Sequence, residues 1–295
     1  MKAWISAFRL RTLPLSLSPI IVGTLLAAGD HAFSWQTTVW ALLTTLFLQV
    51  LSNLANDYGD GVKGTDNEER IGPARAIQSG AISQQAMKKA LYVFGVLSFA
   101  SGMVLLYVSL TSLTEFLVFL GMGVLAIWAA IAYTVGKNAY GYKGLGDVFV
   151  LLFFGWMGAV GTYYLSTNSL SWLVFLPATS VGFLAVAVLN LNNMRDRISD
   201  EKAGKRTLAV LLGDRRARVY HTLLLTFSLL LTLLFTLQEQ LNIYKFIFVV
   251  IAVPIALQLK KVWSVKQPED FDPMLKQTAL TAFLFALTFG IGQVL

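Results

Sequence analysis

Nine stretches of this 295-residue chain are long enough and free enough of charge to cross a lipid bilayer as helices. The hydrocarbon core is about 30 Å thick and requires roughly 20 apolar helical residues for one crossing. The stretches cover residues 13–29, 35–56, 90–114, 116–136, the two parts of 148–194, 219–238, 240–259 and 277–295. We divide 148–194 at the polar run 166–169, because it is too long for a single crossing. The sequence therefore predicts an all-α polytopic membrane protein of nine transmembrane helices, with residues 1–295 forming one domain.

Composition excludes the soluble and disordered classes of protein. Hydrophobic residues make up 56% of the chain and charged residues only 13%, against about 25% charged in ordinary soluble domains. A water-soluble protein of this size could not bury so many apolar side chains. The chain has no cysteine, which excludes disulfides, thiolate metal sites and a cysteine nucleophile.

The distribution of basic residues predicts how the protein sits in the membrane. With nine crossings, 22 of the 23 lysines and arginines fall on the side that carries the N-terminus, and only Lys245 falls on the other. The positive-inside rule places that side in the cytoplasm. We therefore expect a multi-pass protein of the cytoplasmic (inner) membrane with a cytoplasmic N-terminus. The net charge of +7 is explained by topology, so no nucleic-acid partner is expected.

The N-terminus has two interpretations. Three basic residues before an apolar run are compatible with a signal peptide. Pro14 and Pro19 within that run favour instead a first membrane helix, entered through a short amphipathic segment at residues 3–10 that lies on the membrane surface.

Two groups of Asn and Asp follow the second and sixth predicted helices. The first cluster consists of Asn53, Asn56, Asp57 and Asp60, followed by Asp66; the second cluster consists of Asn190, Asn193, Asp196 and Asp200. Within the first, the spacing i, i+3, i+4, i+7 places four side chains on one helical stripe. Four helices separate the clusters, which suggests two four-helix halves with a ninth helix appended. Folded together, the clusters would face each other across a cavity at the cytoplasmic face.

Clustered carboxylates of this kind are typical of Mg²⁺ sites, in which one or two carboxylates act together with phosphate oxygens and water. Their mutual repulsion also requires a cation. Basic residues that could hold phosphate surround both clusters: Lys63, Arg70, Arg75, Lys137, Lys143, Arg195, Arg197, Lys202, Lys205 and Arg206. Two plainer interpretations stay open, namely a solvated acidic loop face and basic residues that serve topology alone.

A polar site at the membrane face suits a lipid diphosphate, whose head lies in water and whose tail lies among helices. Mg²⁺ would make the diphosphate a good leaving group. Loss of diphosphate from an allylic carbon leaves a carbocation, which the many aromatic side chains could shield from water and stabilise.

The motifs Asn56-Asp57-x-x-Asp60 and Asp196-x-x-x-Asp200 resemble those of the UbiA-type intramembrane aromatic prenyltransferases. Finer stretches resemble the branch of that family that prenylates 1,4-dihydroxy-2-naphthoate in menaquinone synthesis. They are Arg11-Thr-Leu-Pro-Leu, Asn53-Leu-Ala-Asn-Asp-Tyr-Gly-Asp, Arg70-Ile-Gly-Pro, Tyr133-Thr-Val-Gly, Tyr140-Gly-Tyr-Lys-Gly-Leu-Gly-Asp147 and Asn190-Leu-Asn-Asn-Met-Arg-Asp. The gap from Asp60 to Asp66 also favours this branch over the 4-hydroxybenzoate branch.

The resemblance implies a role for each matching residue. Metal ligands would be Asn56, Asp57, Asp60, Asp66, Asp196 and Asp200. Diphosphate would be bound by Asn53, Asn56, Arg75, Lys137, Lys143 and Lys202. The catalytic group would be Asp57, Asp60, Asp196, Asp200 and Tyr133, with Tyr133 stabilising the allylic cation. Asp147 either assists acceptor binding or caps its helix.

The resemblance also implies Mg²⁺ as cofactor, a polyprenyl diphosphate and an aromatic acceptor as substrates, and no obligate protein partner. The reaction would be prenylation of 1,4-dihydroxy-2-naphthoate with loss of CO₂, giving a demethylmenaquinol. Two alternatives remain: the same chemistry on another acceptor such as 4-hydroxybenzoate, and a membrane cation transporter. A transporter would place its Asp and Asn residues near the bilayer midplane, whereas these clusters lie at helix ends.

Overall fold

The computed structural model describes residues 2–65, 71–72, 74–239 and 242–295. In this part of the chain, nine helices are long and apolar enough to cross a membrane. They are α1 (Leu13–Gly29), α2 (Trp35–Lys63), α3 (Gln84–Ser109), α4 (Leu113–Ala132), α5 (Gly146–Thr167), α6 (Trp172–Arg195), α7 (Leu208–Gln238), α8 (Ile243–Ser264) and α9 (Pro268–Val294). The predicted all-α membrane architecture and its number of helices are confirmed, and the protein is a multi-pass membrane protein.

Several helices extend beyond the uncharged stretches that predicted them. Helix α2 continues from Asn56 to Lys63, and α7 begins at Leu208 with a break at Gly213, whose φ is 73°. Charged residues are tolerated in a helix once it has left the hydrocarbon core, so an uncharged stretch marks the crossing and not the helix ends. Four helices begin with side-chain caps, in which a hydroxyl accepts the amide three residues on: Ser34, Ser83, Ser112 and Thr207.

The N-terminal segment forms a separate helix, Lys2–Phe8, as the amphipathic pattern predicts. Arg9 follows in the left-handed conformation with φ of 49°, which breaks the helix before α1. Phe8 packs edge-on against Phe94 of α3, with ring centroids 5.2 Å apart. The short helix is therefore attached to the first half of the bundle, beside the end of α2.

Each half of the bundle has a closely packed helix pair, and α9 joins the halves. Helices α2 and α3 pack together in the first half, α6 and α7 in the second, and α9 packs against both α1 and α6. Glycines permit the closest approaches. A Cβ added at Gly155 of α5 would lie 3.1 Å from the Cα of Gly182 on α6, so a methyl group there would require the two helices to move apart by a few tenths of an ångström.

Candidate active site

The first cluster occupies the last turns of α2. Because the helix continues unbroken through these residues, the stripe predicted from their spacing forms as expected, and Asn53, Asp57 and Asp60 are buried. Gly64, with φ of 72°, ends the helix, and the amide of Thr65 returns to the carbonyl of Asp60. This turn leads the chain away from α2 and leaves the cluster facing the neighbouring loops.

The carboxylate of Asp60 is enclosed by three donors from different segments. Nη1 of Arg75 lies 2.7 Å from Oδ2, and the hydroxyl of Tyr142 donates to Oδ1 at 2.7 Å. The ammonium of Lys205 lies 3.6 Å from Oδ2. Arg75 also donates to the carbonyl of Asn56 at 2.7 Å. Asp60 therefore joins α2 to three loops on one side of the bundle.

Asp57 contacts the backbone of the loop that carries Arg75. Its two carboxylate oxygens accept the amides of Ala76 and Ile77, at 3.1 and 3.3 Å. A carboxylate that accepts two amides fixes the loop in place. In this conformation Asp57, predicted as a metal ligand, holds the loop that presents Arg75 to Asp60.

The two asparagines of the first cluster face different surroundings. Asn53 donates through Nδ2 to the carbonyl of Phe8 at 2.9 Å and to the hydroxyl of Thr12 at 3.2 Å. It thus anchors the N-terminal segment to α2. Asn56 accepts a bond from Thr134 at 3.4 Å, and both asparagines line the large cavity described below. The amide group of Asn53 is already bonded to the N-terminal segment, so Asn56 is the better placed of the two to meet a ligand.

The second cluster lies where α6 ends and a short helix, Arg197–Lys202, begins. Arg195 holds Asp196 with two bonds: Nε to Oδ1 at 2.8 Å and Nη2 to Oδ2 at 2.7 Å. The amide of Asp200 bonds to the carbonyl of Asp196 at 2.8 Å. Asn190, six residues before Asp196 on the same helix, donates to the carbonyl of Ala217 on α7 at 3.1 Å, so it fixes the two helices to each other.

Lys205 brings the two clusters together. Its Nζ lies 3.6 Å from Oδ1 of Asp200 and 3.6 Å from Oδ2 of Asp60. The other oxygen of Asp200, Oδ2, is buried without a hydrogen-bond partner. The predicted meeting of the two acidic clusters is therefore found between Asp60 and Asp200, with one ammonium between them.

Burial and neighbouring charges shift the pKa values of groups in the connecting loops. Burial raises the pKa of Asp200 to about 6, although the nearby Lys205 opposes the shift. For Lys205, burial lowers the pKa, but the carboxylates of Asp60 and Asp200 outweigh it and the net shift is upward. Burial, followed by the negative charges of Asp147, Asp60 and Asp200, raises the pKa of Tyr133, so its hydroxyl stays neutral at physiological pH.

A cavity of about 320 Å³ lies within the first half of the bundle. Its wall is largely apolar and is formed by α1 to α5 together with Leu189 of α6. Asn56 and the rings of Tyr133 and Tyr140 lie on the same wall. The two tyrosine rings pack edge to face, with centroids 5.3 Å apart, and Tyr140 stacks on Phe149 at 4.0 Å. The cavity thus has an apolar body, an aromatic wall and contact with the first cluster.

The predicted phosphate-binding residues divide into two groups. Arg75 is buried within the first cluster, whereas Lys137, Lys143 and Lys202 are exposed on the loops. Lys143 donates to Asn138 at 3.2 Å. Asp66 lies outside the described residues.

Two contacts of Asp60, with Tyr142 and with Lys205, were not predicted from the sequence. Each lies in a loop remote in sequence from Asp60. Neither contact has a signal in the sequence, because the left-handed φ of 72° at Gly204, which turns the chain back toward the second cluster, is seen only in the structure.

Some features of the site fit a metal ion, and others do not. No group of three or more Asp, Glu, His or Cys side chains is arranged to hold a metal in the part of the chain that the structure describes. Arg75, Arg195 and Lys205 pair with the carboxylates instead. The oxygen donors fit a hard cation. One such donor, Oδ2 of Asp200, is buried between the clusters without a hydrogen-bond partner. The ammonium of Lys205 shows that a positive charge is accommodated at this position.

A membrane bundle with acidic clusters beside an apolar cavity is the architecture of an intramembrane prenyltransferase, and comparison with known proteins confirms that class. Residues 16–289 match the model of the UbiA prenyltransferase family. The chain belongs to this family and is an enzyme that transfers prenyl groups, so the resemblance seen in its motifs is confirmed.

The sequence similarity to known proteins extends over the whole chain. It is 45% identical to the 1,4-dihydroxy-2-naphthoate octaprenyltransferase of Haemophilus influenzae, with 100% of this chain and 96% of that protein covered. It is 46% identical to the protein of the same name from Escherichia coli, with 99% and 94% covered. A UbiA homolog from Archaeoglobus fulgidus, solved with DMAPP and Mg²⁺, shares the fold with a TM-score of 0.64, 19% identity and 99% coverage of both chains.

Proposed function

We propose that this enzyme transfers a polyprenyl group from a polyprenyl diphosphate to 1,4-dihydroxy-2-naphthoate, with loss of CO₂, to give a demethylmenaquinol. The observation that carries the proposal is the meeting of Asp60 and Asp200 around Lys205, beside an apolar cavity with an aromatic wall. The names of the relatives at 45% and 46% identity support the acceptor. The whole chain, 1–295, would act as one domain.

The acidic side chains would hold Mg²⁺, as the homolog solved with DMAPP and Mg²⁺ suggests. Asp60, Asp66 and Asn56 would contribute from the first cluster, and Asp196 and Asp200 from the second. When bound, Mg²⁺ neutralises the diphosphate and so makes it a better leaving group. Arg195 and Arg75 now pair with Asp196 and Asp60, and these arginines would keep the carboxylates oriented toward the site.

Basic side chains would bind the diphosphate and receive its charge as it leaves. Arg75 is already fixed beside Asp60, so its guanidinium needs little reorganisation to meet a phosphate oxygen. Lys137, Lys143 and Lys202 are exposed on the loops and would approach the phosphate from the solvent side. When the allylic C–O bond breaks, its electron pair leaves with the diphosphate.

The cavity would hold the prenyl chain and keep the allylic cation from water. Its apolar wall excludes solvent from the reacting carbon. The ring faces of Tyr133 and Tyr140 can stabilise positive charge by cation–π interaction. Tyr133 does so as a neutral phenol, because the pKa of its hydroxyl is raised.

The acceptor would react as an electron-rich aromatic ring. A ring carbon forms the new C–C bond with the allylic cation. The ionised carboxyl group leaves as CO₂, and the electron pair of the broken C–C bond stays with the ring, so no net proton is released. Because 22 of 23 basic residues fall on one predicted side, we place the site at the cytoplasmic face of the inner membrane, with the N-terminus on the same side.

A product assay on the purified protein tests the proposal. It contains Mg²⁺, octaprenyl or farnesyl diphosphate, and either 1,4-dihydroxy-2-naphthoate or 4-hydroxybenzoate, each with an EDTA control. An EDTA-sensitive prenylated naphthoquinol released together with CO₂ is the expected result. A prenylated benzoate alone would overturn the acceptor but keep the reaction, and absence of any product would overturn both.

A further inference from the structure

Lys205 occupies a position between the two clusters that a metal ion would also favour. Its ammonium is 3.6 Å from both Asp60 and Asp200, and the residue is only 7% exposed. Both distances are those of ion pairs and exceed hydrogen-bond length. The charge is therefore shared between the clusters and not committed to either carboxylate.

The backbone around Lys205 is built to hold it there. Its amide bonds to the carbonyl of Asp200 at 2.8 Å, after the left-handed turn at Gly204. The next amide, that of Arg206, bonds to the carbonyl of Tyr142 at 3.2 Å. The hydroxyl of Tyr142 in turn binds Asp60. The loop thus connects the second cluster to the first through main chain and through side chains.

Two buried carboxylates that face each other repel unless a cation lies between them. We propose that Lys205 is the internal counter-ion of the two clusters: its ammonium holds Asp60 and Asp200 together, gives way to Mg²⁺, and then pairs with the diphosphate. The inference rests on the proposed function of this site. It assigns to Lys205 a role in keeping the two clusters together before Mg²⁺ binds and in making metal binding depend on the diphosphate.

The proposal predicts that one substitution, Lys205→Met, changes the affinities for two ligands in opposite directions. In Lys205→Met the side chain remains long and unbranched but loses its charge, so Mg²⁺ no longer competes with an ammonium. We expect this variant to bind Mg²⁺ alone about tenfold more tightly, since a positive charge close to the ion has been removed. Binding of inorganic diphosphate with Mg²⁺ should weaken severalfold, because a phosphate partner is lost.

Titration calorimetry of the purified full-length protein with MgCl₂ measures the first effect, and titration with micromolar diphosphate in the presence of Mg²⁺ measures the second. Lys205→Arg keeps the charge and should resemble the wild type. Lys266→Met loses the same charge on an exposed loop and should bind Mg²⁺ as the wild type does. Unchanged or weaker Mg²⁺ binding in Lys205→Met would overturn the proposal.

A second measurement needs only the wild-type protein and applies even if Lys205→Met fails to fold. Acetylation of Lys205 by an amine reagent, followed by mass spectrometry, should rise when Mg²⁺ displaces the ammonium and fall again when diphosphate is added. Labelling that does not respond to Mg²⁺ would count against the proposal. Because neither readout requires turnover, a failed product assay and a failed Lys205 experiment remain distinguishable.

Discussion

Arg195 and Asp272 connect the second cluster to the ninth helix. Nη1 of Arg195 donates to Oδ1 of Asp272, in the first turns of α9, while Nε and Nη2 of the same guanidinium hold Asp196. Arg195 is almost fully buried, whereas the side chain of Asp272 is 40% exposed. The helix that follows the two four-helix halves therefore helps to set the orientation of a predicted metal ligand.

Replacing Asp272 with alanine should loosen this connection. With Asp272 absent, Arg195 keeps Asp196 as its carboxylate partner and pairs with it more strongly, which makes Asp196 a poorer metal ligand. We expect a severalfold higher Mg²⁺ concentration at half-maximal activity. The free energy of unfolding should fall by about 1 kcal/mol, a small value because the partner is half exposed. Asp270→Ala, two residues earlier and exposed, should change neither the Mg²⁺ dependence nor the stability.

The Asp57→Ala variant should lose activity through the loop it anchors. Without the carboxylate, the amides of Ala76 and Ile77 lose their acceptor, and Arg75 is no longer fixed beside Asp60. We expect slower turnover together with faster proteolysis of the segment around residues 74–79, measured by limited digestion in detergent.

Asp60→Ala is the matched comparison for Asp57, because its carboxylate meets cationic side chains and not backbone amides. It should abolish turnover and weaken Mg²⁺ binding. If Asp57→Ala weakened Mg²⁺ binding as much as Asp60→Ala and left the loop resistant to protease, Asp57 would be a metal ligand and not a loop anchor.

Gly59→Ala should disturb the site from within the helix packing. A Cβ at this position would lie 2.7 Å from the backbone carbonyl carbon of Thr134, which immediately follows Tyr133. Helix α2 must then move away from that segment, at a cost of about 1–3 kcal/mol in unfolding free energy. Thermal unfolding and turnover should both decline. Gly121→Ala, where a Cβ would meet nothing within 4 Å, should leave both unchanged, and an equal loss there would contradict the packing explanation.

The sequence predicts the parts of this protein that depend on local pattern. The uncharged stretches predict nine crossings because each crossing needs its own apolar residues. The spacing from Asn53 to Asp60 predicts one helical stripe because α2 continues past the membrane core.

What the sequence does not predict is which cation meets which carboxylate. Ten basic residues lie near the clusters in sequence, and none carries a local signal of its partner. Lys205 reaches Asp60 because the turn at Gly204 directs it back, and Tyr142 reaches the same carboxylate across 82 positions of the chain. Contacts of this kind depend on tertiary packing, so they became visible only in the structure.

Tyr133 offers a test of cation stabilisation that separates its ring from its hydroxyl. Tyr133→Phe keeps the aromatic face that packs against Tyr140. It should retain activity within about threefold, since a cation–π contribution comes from the ring and not from the hydroxyl. Tyr133→Leu removes the face and should slow prenyl transfer by up to about thirtyfold, equivalent to about 2 kcal/mol. The ratio of free prenyl alcohol to prenylated naphthoquinol, measured by chromatography, should rise in Tyr133→Leu, because a less stabilised and less shielded cation is captured by water. If Tyr133→Phe were as impaired as Tyr133→Leu with no increase in prenyl alcohol, the hydroxyl and not the ring would be the group that matters.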